Sequence, residues 1–433
     1  MPFAAKLAAQ RHLGALRDGI ILAMPLIIIG SFFLIIGFLP IPGYSDFMAG
    51  IFGEEWLTKL LYPTNATFDM MGLIAAFGIA YRLAERYDLD ALTAGAISLC
   101  AFLLATPFQV LFTPAGSKEE FIVGGAIPTA LMGSKGLFVA IIIALFSTEV
   151  YRWIVKRNIV IRMPDSVPPA VSKSFVALIP GFAVVTIVWV VRLLLEMTSF
   201  ESIHNVIGII LGKPLGVLGG SLIGSIIAYS LVMLLWSAGL HGTNIVNGVM
   251  QPIWLSNTDA NRLAFEAGQE LPHIFTAQFF EVFIQIGGTG ATFGLLILMI
   301  FWARSRQMKE LGKLSAGPGF FMVNEPIIFG APIVMNPLLV IPFFLAPIIS
   351  IIITYYAMKL GLVAKPAGIA IPWTTPPIIG GYLATGGHIS GAVMQCINIL
   401  ISLVVYFPFF KLWDRMKYKE ETGNVNPGEK TAV

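Results

Sequence analysis

A single glutamate interrupts an apolar, proline-broken stretch, Phe320-Phe321-Met322-Val323-Asn324-Glu325-Pro326-Ile327-Ile328-Phe329-Gly330-Ala331-Pro332. A carboxylate in such surroundings is costly to keep from water, and it persists where it faces a cavity, a ligand or a partner charge. His241, in Trp236-Ser237-Ala238-Gly239-Leu240-His241-Gly242-Thr243-Asn244, offers the complementary chemistry. Imidazole and carboxylate together can donate to and accept from a hydroxyl, and either can take its proton. The glycines beside His241 let backbone approach a ligand closely. On the residues alone, an ion pair that merely braces two broken helices stays open as well.

Asn324 and Asn244 each donate and accept, which suits a polyhydroxylated ligand. Each equally suits patching the backbone of a broken helix. Trp236, Trp254 and Trp373 lie near these segments. Pockets for small ligands combine aromatic walls with a few placed polar groups, and the apolar faces of sugar rings stack on indole. Tryptophans at membrane edges also act as anchors. The candidate site therefore holds His241 and Glu325 as reacting groups, with Asn324, Trp373, Trp236 and Asn244 as further contacts. No Walker motif, H-E-x-x-H or G-x-S-x-G occurs, so an ATP-driven pump within this chain is excluded, and no metal or other cofactor is expected.

The elements that hold these side chains must be membrane spans. Of the 433 residues, 57% are hydrophobic and 12% charged, with a mean hydropathy of +0.83. Soluble domains carry about 25% charged residues, so this composition reads as an all-α polytopic membrane protein in a lipid bilayer. A net charge of +3 is too small to suggest nucleic acid. The two cysteines, Cys100 and Cys396, fall in apolar spans and read as small packing residues.

Runs of about 20 apolar residues mark spans at 19–39, 67–84, 91–112, 136–155, 175–195, 217–240, 279–303, 337–358 and 389–412. Arg11 and Arg17 before the first span, Arg82 and Arg86 after the second, Arg152 to Arg162 after the fourth, and Lys411 to Lys419 at the end place both termini in the cytoplasm. Alternation then fails between 241 and 303, which points to a re-entrant hairpin between 241 and 290, with Gln285 to Ala291 as its turn or a broken helix. Further irregular regions are 318–335 and 364–388. The expected organisation is a scaffold half at 1–195, a linker or interfacial helix at 196–216, a solute-handling half at 217–413 and a polar cytoplasmic tail at 414–433, disordered from about 418.

These segments resemble enzyme IIC of the bacterial phosphoenolpyruvate:sugar phosphotransferase system, in its lactose/cellobiose/chitobiose branch. The resemblance covers nearly the whole chain. It rests on Gln10-Arg11-His12-Leu13, Leu16-Arg17-Asp18-Gly19, His241-Gly242, Gly287-Gly288-Thr289-Gly290-Ala291 and, most specifically, Asn324-Glu325-Pro326. It implies about ten transmembrane helices with re-entrant hairpins in a bacterial plasma membrane, a homodimer joined through the N-terminal half, and a sugar enclosed by the C-terminal half. It also implies that His241 and Glu325 contact the hydroxyl that becomes phosphorylated. The donor phosphocysteine belongs to enzyme IIB, expected here as a separate chain. The expected activity is import of a β-linked disaccharide such as N,N'-diacetylchitobiose or cellobiose, with phosphorylation at the 6-hydroxyl. From the residues alone, a proton-coupled secondary sugar transporter and a structural or receptor-like protein remain as rivals.

Overall fold

The structure, a computed structural model, describes residues 10–39, 41–114, 119–164, 166–333 and 336–422. Helices follow the apolar runs. The first half holds α1 (Arg11–Ile21), α2 (Met24–Gly37), α3 (Tyr62–Phe68), α4 (Met71–Glu85), α5 (Ala91–Ala105), α6 (Leu137–Lys156) and α7 (Leu178–Glu196). The second holds α8 (Leu222–Ser237), α9 (Gly242–Glu266), α10 (Phe293–Phe301), α11 (Arg306–Phe320), α12 (Glu325–Gly330), α13 (Pro337–Lys359), α14 (Ile379–Ala384) and α15 (Ile389–Glu421). Among the described residues, five helical stretches are long and apolar enough to cross a membrane, or up to seven if each of two bent pairs is one span. The fold is a helical polytopic membrane protein.

Several boundaries differ from expectation. The third span stops at Ala105, short of 112, because Pro107 forces Thr106 into extended backbone. Beyond it, β1 (Gln109–Phe112) pairs antiparallel with β2 (Phe121–Gly124), Val110 opposite Val123. Within the expected linker, helix Ile203–Ile207 runs on through a π-helical turn to Gly219 and meets α8 at an 80° bend. The C-terminal helix overruns the expected tail boundary. Asp414 accepts from the backbone N–H groups of Arg304 and Ser305, and Glu421 from those of Arg306 and Gln307, so these carboxylates cap a neighbouring loop and order the chain to Glu421. The rest of the expected tail, 423–433, lies outside the described residues. Cys100 and Cys396 are exposed on outward faces of α5 and α15, not packed inside as expected.

The first half packs through small residues. A Cβ on Gly19 would lie 2.5 Å from the Ile79 backbone, and one on Gly78 would lie 2.8 Å from the Gly19 carbonyl oxygen. Such close approach substitutes dispersion contact for a hydrophobic force that lipid weakens. It seats α1 against α4, and α1 in turn forms one wall of the site.

The second half solves a different problem, irregular backbone inside an apolar body. From 241 to 290 the chain doubles back on itself. Asn261 Oδ1 accepts from the His273 N–H, Thr258 bonds Gln278, Gln251 bonds Glu281, and Thr243 bonds Thr289. The doubling-back was expected, but its turn is near Gly268, and the glycine-rich 287–290 segment sits at its base beside His241. The return arm is extended and then π-helical over Phe279–Ile284, so its carbonyls need outside partners. One face of α15 supplies them. Gln395 and Asn398 amides donate to the carbonyls of Val282 and Phe283, and the Ser402 and Tyr406 hydroxyls donate to those of Ala291 and Gly290.

The two halves are joined by charge. Arg262, fully buried, donates to Asp259 Oδ1 at 2.8 Å, Glu266 Oε1 at 2.9 Å and Asp69 Oδ1 at 2.6 Å. Ser134 donates to Asp259 Oδ2. The far end of α9 is thereby fixed to the first half of the chain, while its near end carries His241.

Candidate functional site

A cavity of about 460 Å³ lies between α1, α2, the first turns of α9, the return arm and the start of α12. That volume falls in the range of about 300–1,000 Å³ typical of small-molecule sites. Its walls include Trp236, His241, Asn244, Asn324, Glu325 and Trp373, so every residue of the candidate site converges here from four separate segments. Trp254 does not: it is 2% exposed and stacks in the core with its ring 4.0 Å from that of Phe280.

His241 is the N-cap of α9. Gly242 follows because α9 starts against α8, where a Cβ would lie 2.1 Å from the Val232 carbonyl oxygen. The His241 Nδ1 accepts from the Asn244 backbone N–H at 3.3 Å, satisfying one of the unpaired donors of the helix start. A neutral ring that accepts at Nδ1 carries its proton on Nε2. The Trp236 ring lies 4.5 Å from the imidazole, and its indole N–H donates to Thr243. Thr243 and Thr289 share a hydroxyl–hydroxyl bond of 3.0 Å. The aromatic wall is therefore held from two sides.

Glu325 opens α12, with Pro326 in its first turn. Among the described residues, neither its carboxylate nor His241 Nε2 has a hydrogen-bond or ion-pair partner. No hydrogen bond or ion pair joins the two among the described residues, and both line the cavity.

Asn324 is differently employed. Its amide N–H groups donate to the Thr289 carbonyl at 2.7 Å and to Thr292 Oγ1 at 3.0 Å. Gly288, at φ +89°, passes so close that a Cβ would lie 2.4 Å from Asn324 Cγ. Asn324 is thus a strut between α12 and the glycine loop, with Oδ1 left for the cavity. Among the described residues, Asn244 has no side-chain hydrogen bond, and it lines the cavity with both functions available. Trp373, 52% exposed, also lines the cavity.

Several lining residues were not singled out from the sequence. Asn247 and Gln251 continue the line of Asn244 along one face of α9, at spacings of three and four residues. That polar stripe was readable. Glu281 is a second carboxylate at the wall, accepting from Gln251 at 3.2 Å. It lay inside a stretch counted simply as a span. Gln285 donates to the Tyr229 hydroxyl at 2.7 Å. Arg17, read as a topology marker, also lines the cavity.

Comparison with known proteins fits this architecture. Residues 17–347 match the sequence pattern of the family described as Phosphotransferase system, EIIC. The chain is 66% identical over 421 residues to the Lichenan permease IIC component of Bacillus subtilis (strain 168), covering 97% of this chain and 93% of that protein. It is 62% identical over 423 residues to the PTS system cellobiose-specific EIIC component of Geobacillus stearothermophilus, covering 97% and 94%. It superposes with a TM-score of 0.95 and 57% identity, over 98% of each chain, on the crystal structure of the transporter ChbC, the IIC component from the N,N'-diacetylchitobiose-specific phosphotransferase system. With matches of this extent, the chain belongs to the EIIC family of the phosphotransferase system, the multi-pass membrane components that take part in sugar transport.

Proposed function

We propose that the protein imports a β-linked disaccharide of the cellobiose or N,N'-diacetylchitobiose kind and presents its 6-hydroxyl to the phosphocysteine of enzyme IIB. The observation that carries this reading is the unpartnered pair, His241 Nε2–H and the Glu325 carboxylate, at one wall of a cavity flanked by Trp236 and Trp373. A neutral, hydroxyl-rich ligand supplies what this wall lacks. Its ring faces suit the indoles, and one hydroxyl can accept from Nε2–H while donating to Glu325. The Asn244–Asn247–Gln251 stripe and Glu281 offer donors and acceptors for a second ring. Three relatives named for lichenan, cellobiose and N,N'-diacetylchitobiose support the substrate class.

The capping bond divides the roles. Nδ1 is occupied by the helix start, so His241 serves as hydroxyl donor and orienter. Glu325 is the acceptor that takes the proton as the hydroxyl attacks phosphorus. Basic helix ends support cytoplasmic termini, which leaves the donor approaching from that side. A homodimer built through residues 1–195, with 217–413 enclosing the sugar, completes the reading.

Uptake in sealed inside-out and right-side-out vesicles tests it. With phosphorylated enzyme IIB on the cytoplasmic side, cellobiose or N,N'-diacetylchitobiose is expected to accumulate as its 6-phosphate. Unmodified sugar taken up in response to a pH gradient, with no need for IIB, would overturn it.

A further inference from the structure

We infer that Arg17 is the phosphoryl-binding group of this site, the cation that receives the phosphoryl oxygens during transfer. The inference rests on the functional reading above and adds a residue to it. Arg17 is the one cationic side chain among the described residues lining the cavity that His241 and Glu325 share. A disaccharide of the proposed class is uncharged and gives a guanidinium nothing to neutralise. A transferring phosphoryl group carries negative charge spread over its equatorial oxygens, and it must arrive beside the carboxylate of Glu325. Charge of the opposite sign at the wall offsets that repulsion, and a cation held in place beforehand stabilises it without reorganisation at the moment of transfer.

The side chain is also held as this role requires. Arg17 Nε donates to Asp18 Oδ1 at 2.7 Å, and Nη2 approaches the same oxygen at 2.6 Å. Arg86 Nη2 donates to the other oxygen, Oδ2, at 2.6 Å. One carboxylate is thus shared by two guanidinium groups, and the trio keeps a net positive charge. Arg17 Nη1 has no partner among the described residues. Residue 14 being glycine leaves room for Arg86 in this position: a Cβ there would lie 2.7 Å from the Arg86 guanidinium carbon. Gly248 of α9 lies against the same helix, α1, where a Cβ would be 3.4 Å from the Leu13 carbonyl oxygen, an ordinary contact distance. The guanidinium is therefore positioned by Asp18 of α1, which Arg86 of α4 holds from its other side, and Nη1 is left free among the described residues.

In the step itself, the lone pair of the sugar 6-oxygen forms the new O–P bond. The P–S bond of the IIB phosphocysteine breaks, and its electron pair returns to sulfur as thiolate. The hydroxyl proton passes to Glu325. Arg17 makes and breaks no covalent bond; it donates hydrogen bonds to the non-bridging phosphoryl oxygens.

The test compares wild type with Arg17→Gln and Arg17→Lys in the full chain, reading sugar affinity by tryptophan fluorescence and phosphoryl transfer from phosphorylated IIB at saturating sugar. In Arg17→Gln, sugar affinity should stay within about twofold, while transfer falls by about 100-fold or more, as for loss of an oxyanion donor. Arg17→Lys keeps the charge but loses the fork, and should restore transfer only to about a tenth of wild type. Wild-type transfer in Arg17→Gln overturns the inference, as does a loss of sugar affinity that accounts for the whole loss of transfer. Thermal unfolding and size exclusion report folding. If Arg17→Gln fails to fold, Arg17→Lys decides alone: unchanged transfer overturns the inference, and slowed transfer at unchanged affinity supports it. Absence of sugar phosphate from the wild-type protein would instead sink the parent reading.

Discussion

His241 Nδ1 accepts from the backbone N–H of Asn244, so a single imidazole both starts α9 and addresses the cavity with its other nitrogen. The two duties can be separated by substitution. Asparagine is a good helix cap but reaches less far. His241→Ala should lose both, weakening sugar binding by about 1–3 kcal/mol through the unpaired hydroxyl and stability by about 1 kcal/mol through the lost cap. His241→Asn should recover most of the stability and little of the binding. Calorimetric titration with cellobiose, beside thermal unfolding of both variants, reads the split. Equal recovery of both would show that the ring matters only as a cap.

Glu325→Gln should abolish phosphorylation and leave sugar binding within about tenfold of wild type. The amide preserves size and hydrogen bonding but takes no proton. The measurement is sugar phosphate formed from phosphorylated IIB, set against equilibrium binding of the same sugar. A variant that phosphorylates at the wild-type rate removes Glu325 from the role of base.

Why the site was largely legible and parts of its frame were not follows from where polarity stands out. In a chain this apolar, Glu325, His241, Asn324 and Asn244 are conspicuous, and the prolines and glycines beside them mark backbone that cannot be lipid-facing. The structure brings these residues to one cavity with Trp236 and Trp373. Glu281 escaped notice because it lies in an otherwise apolar run that composition reads as a span. Arg17 escaped because a basic residue at a span's end is what topology alone demands. The β1–β2 hairpin was hidden for the reverse reason: Leu111, Phe112, Phe121, Ile122 and Val123 are apolar yet exposed, so hydropathy carried the third span to 112, over Leu111 and Phe112, and gave β2 no signal of its own. The stripe Gln395–Asn398–Ser402–Tyr406 on α15 could have been found by its helical spacing.

That stripe yields a further expectation. Gln395 Oε1 accepts from the backbone N–H groups of Ile378 and Gly381, while its amide donates to the Val282 carbonyl. It thus satisfies two irregular segments at once. Gln395→Leu is nearly isosteric but strands three backbone groups, each costing about 1–3 kcal/mol when buried. Folded yield and thermal stability should drop sharply. A wild-type melting profile would mean that the irregular backbone finds its partners elsewhere.

Gly288→Ala tests the joint between the glycine loop and the Glu325 segment. The added methyl would meet the Asn324 amide at 2.4 Å, in a backbone region at φ +89° that L-residues rarely adopt. Strain alone costs about 1–3 kcal/mol, and the clash displaces Asn324 and with it the neighbouring Glu325. Phosphorylation should fall further than global stability does. Full activity at reduced stability would show that Glu325 holds its position without the strut.

The charge link between the halves makes the sharpest stability prediction. Arg262 is fully buried with Asp69, Asp259 and Glu266 around it. Arg262→Met keeps much of the stem volume but leaves three carboxylates facing one another without their cation. Removing one partner from a buried ionic cluster costs about 3–5 kcal/mol, enough to strip most folded protein from a membrane preparation. Asp69→Asn in the same background removes one of the stranded charges and should recover part of the loss. Asp69 comes from the first half of the chain and Arg262 from the helix that carries His241, so a partial rescue would also show that the two halves are coupled through this contact. If Arg262→Met alone folds and melts as wild type, the cluster does not hold the halves together, and α9 must be fixed by its apolar packing instead.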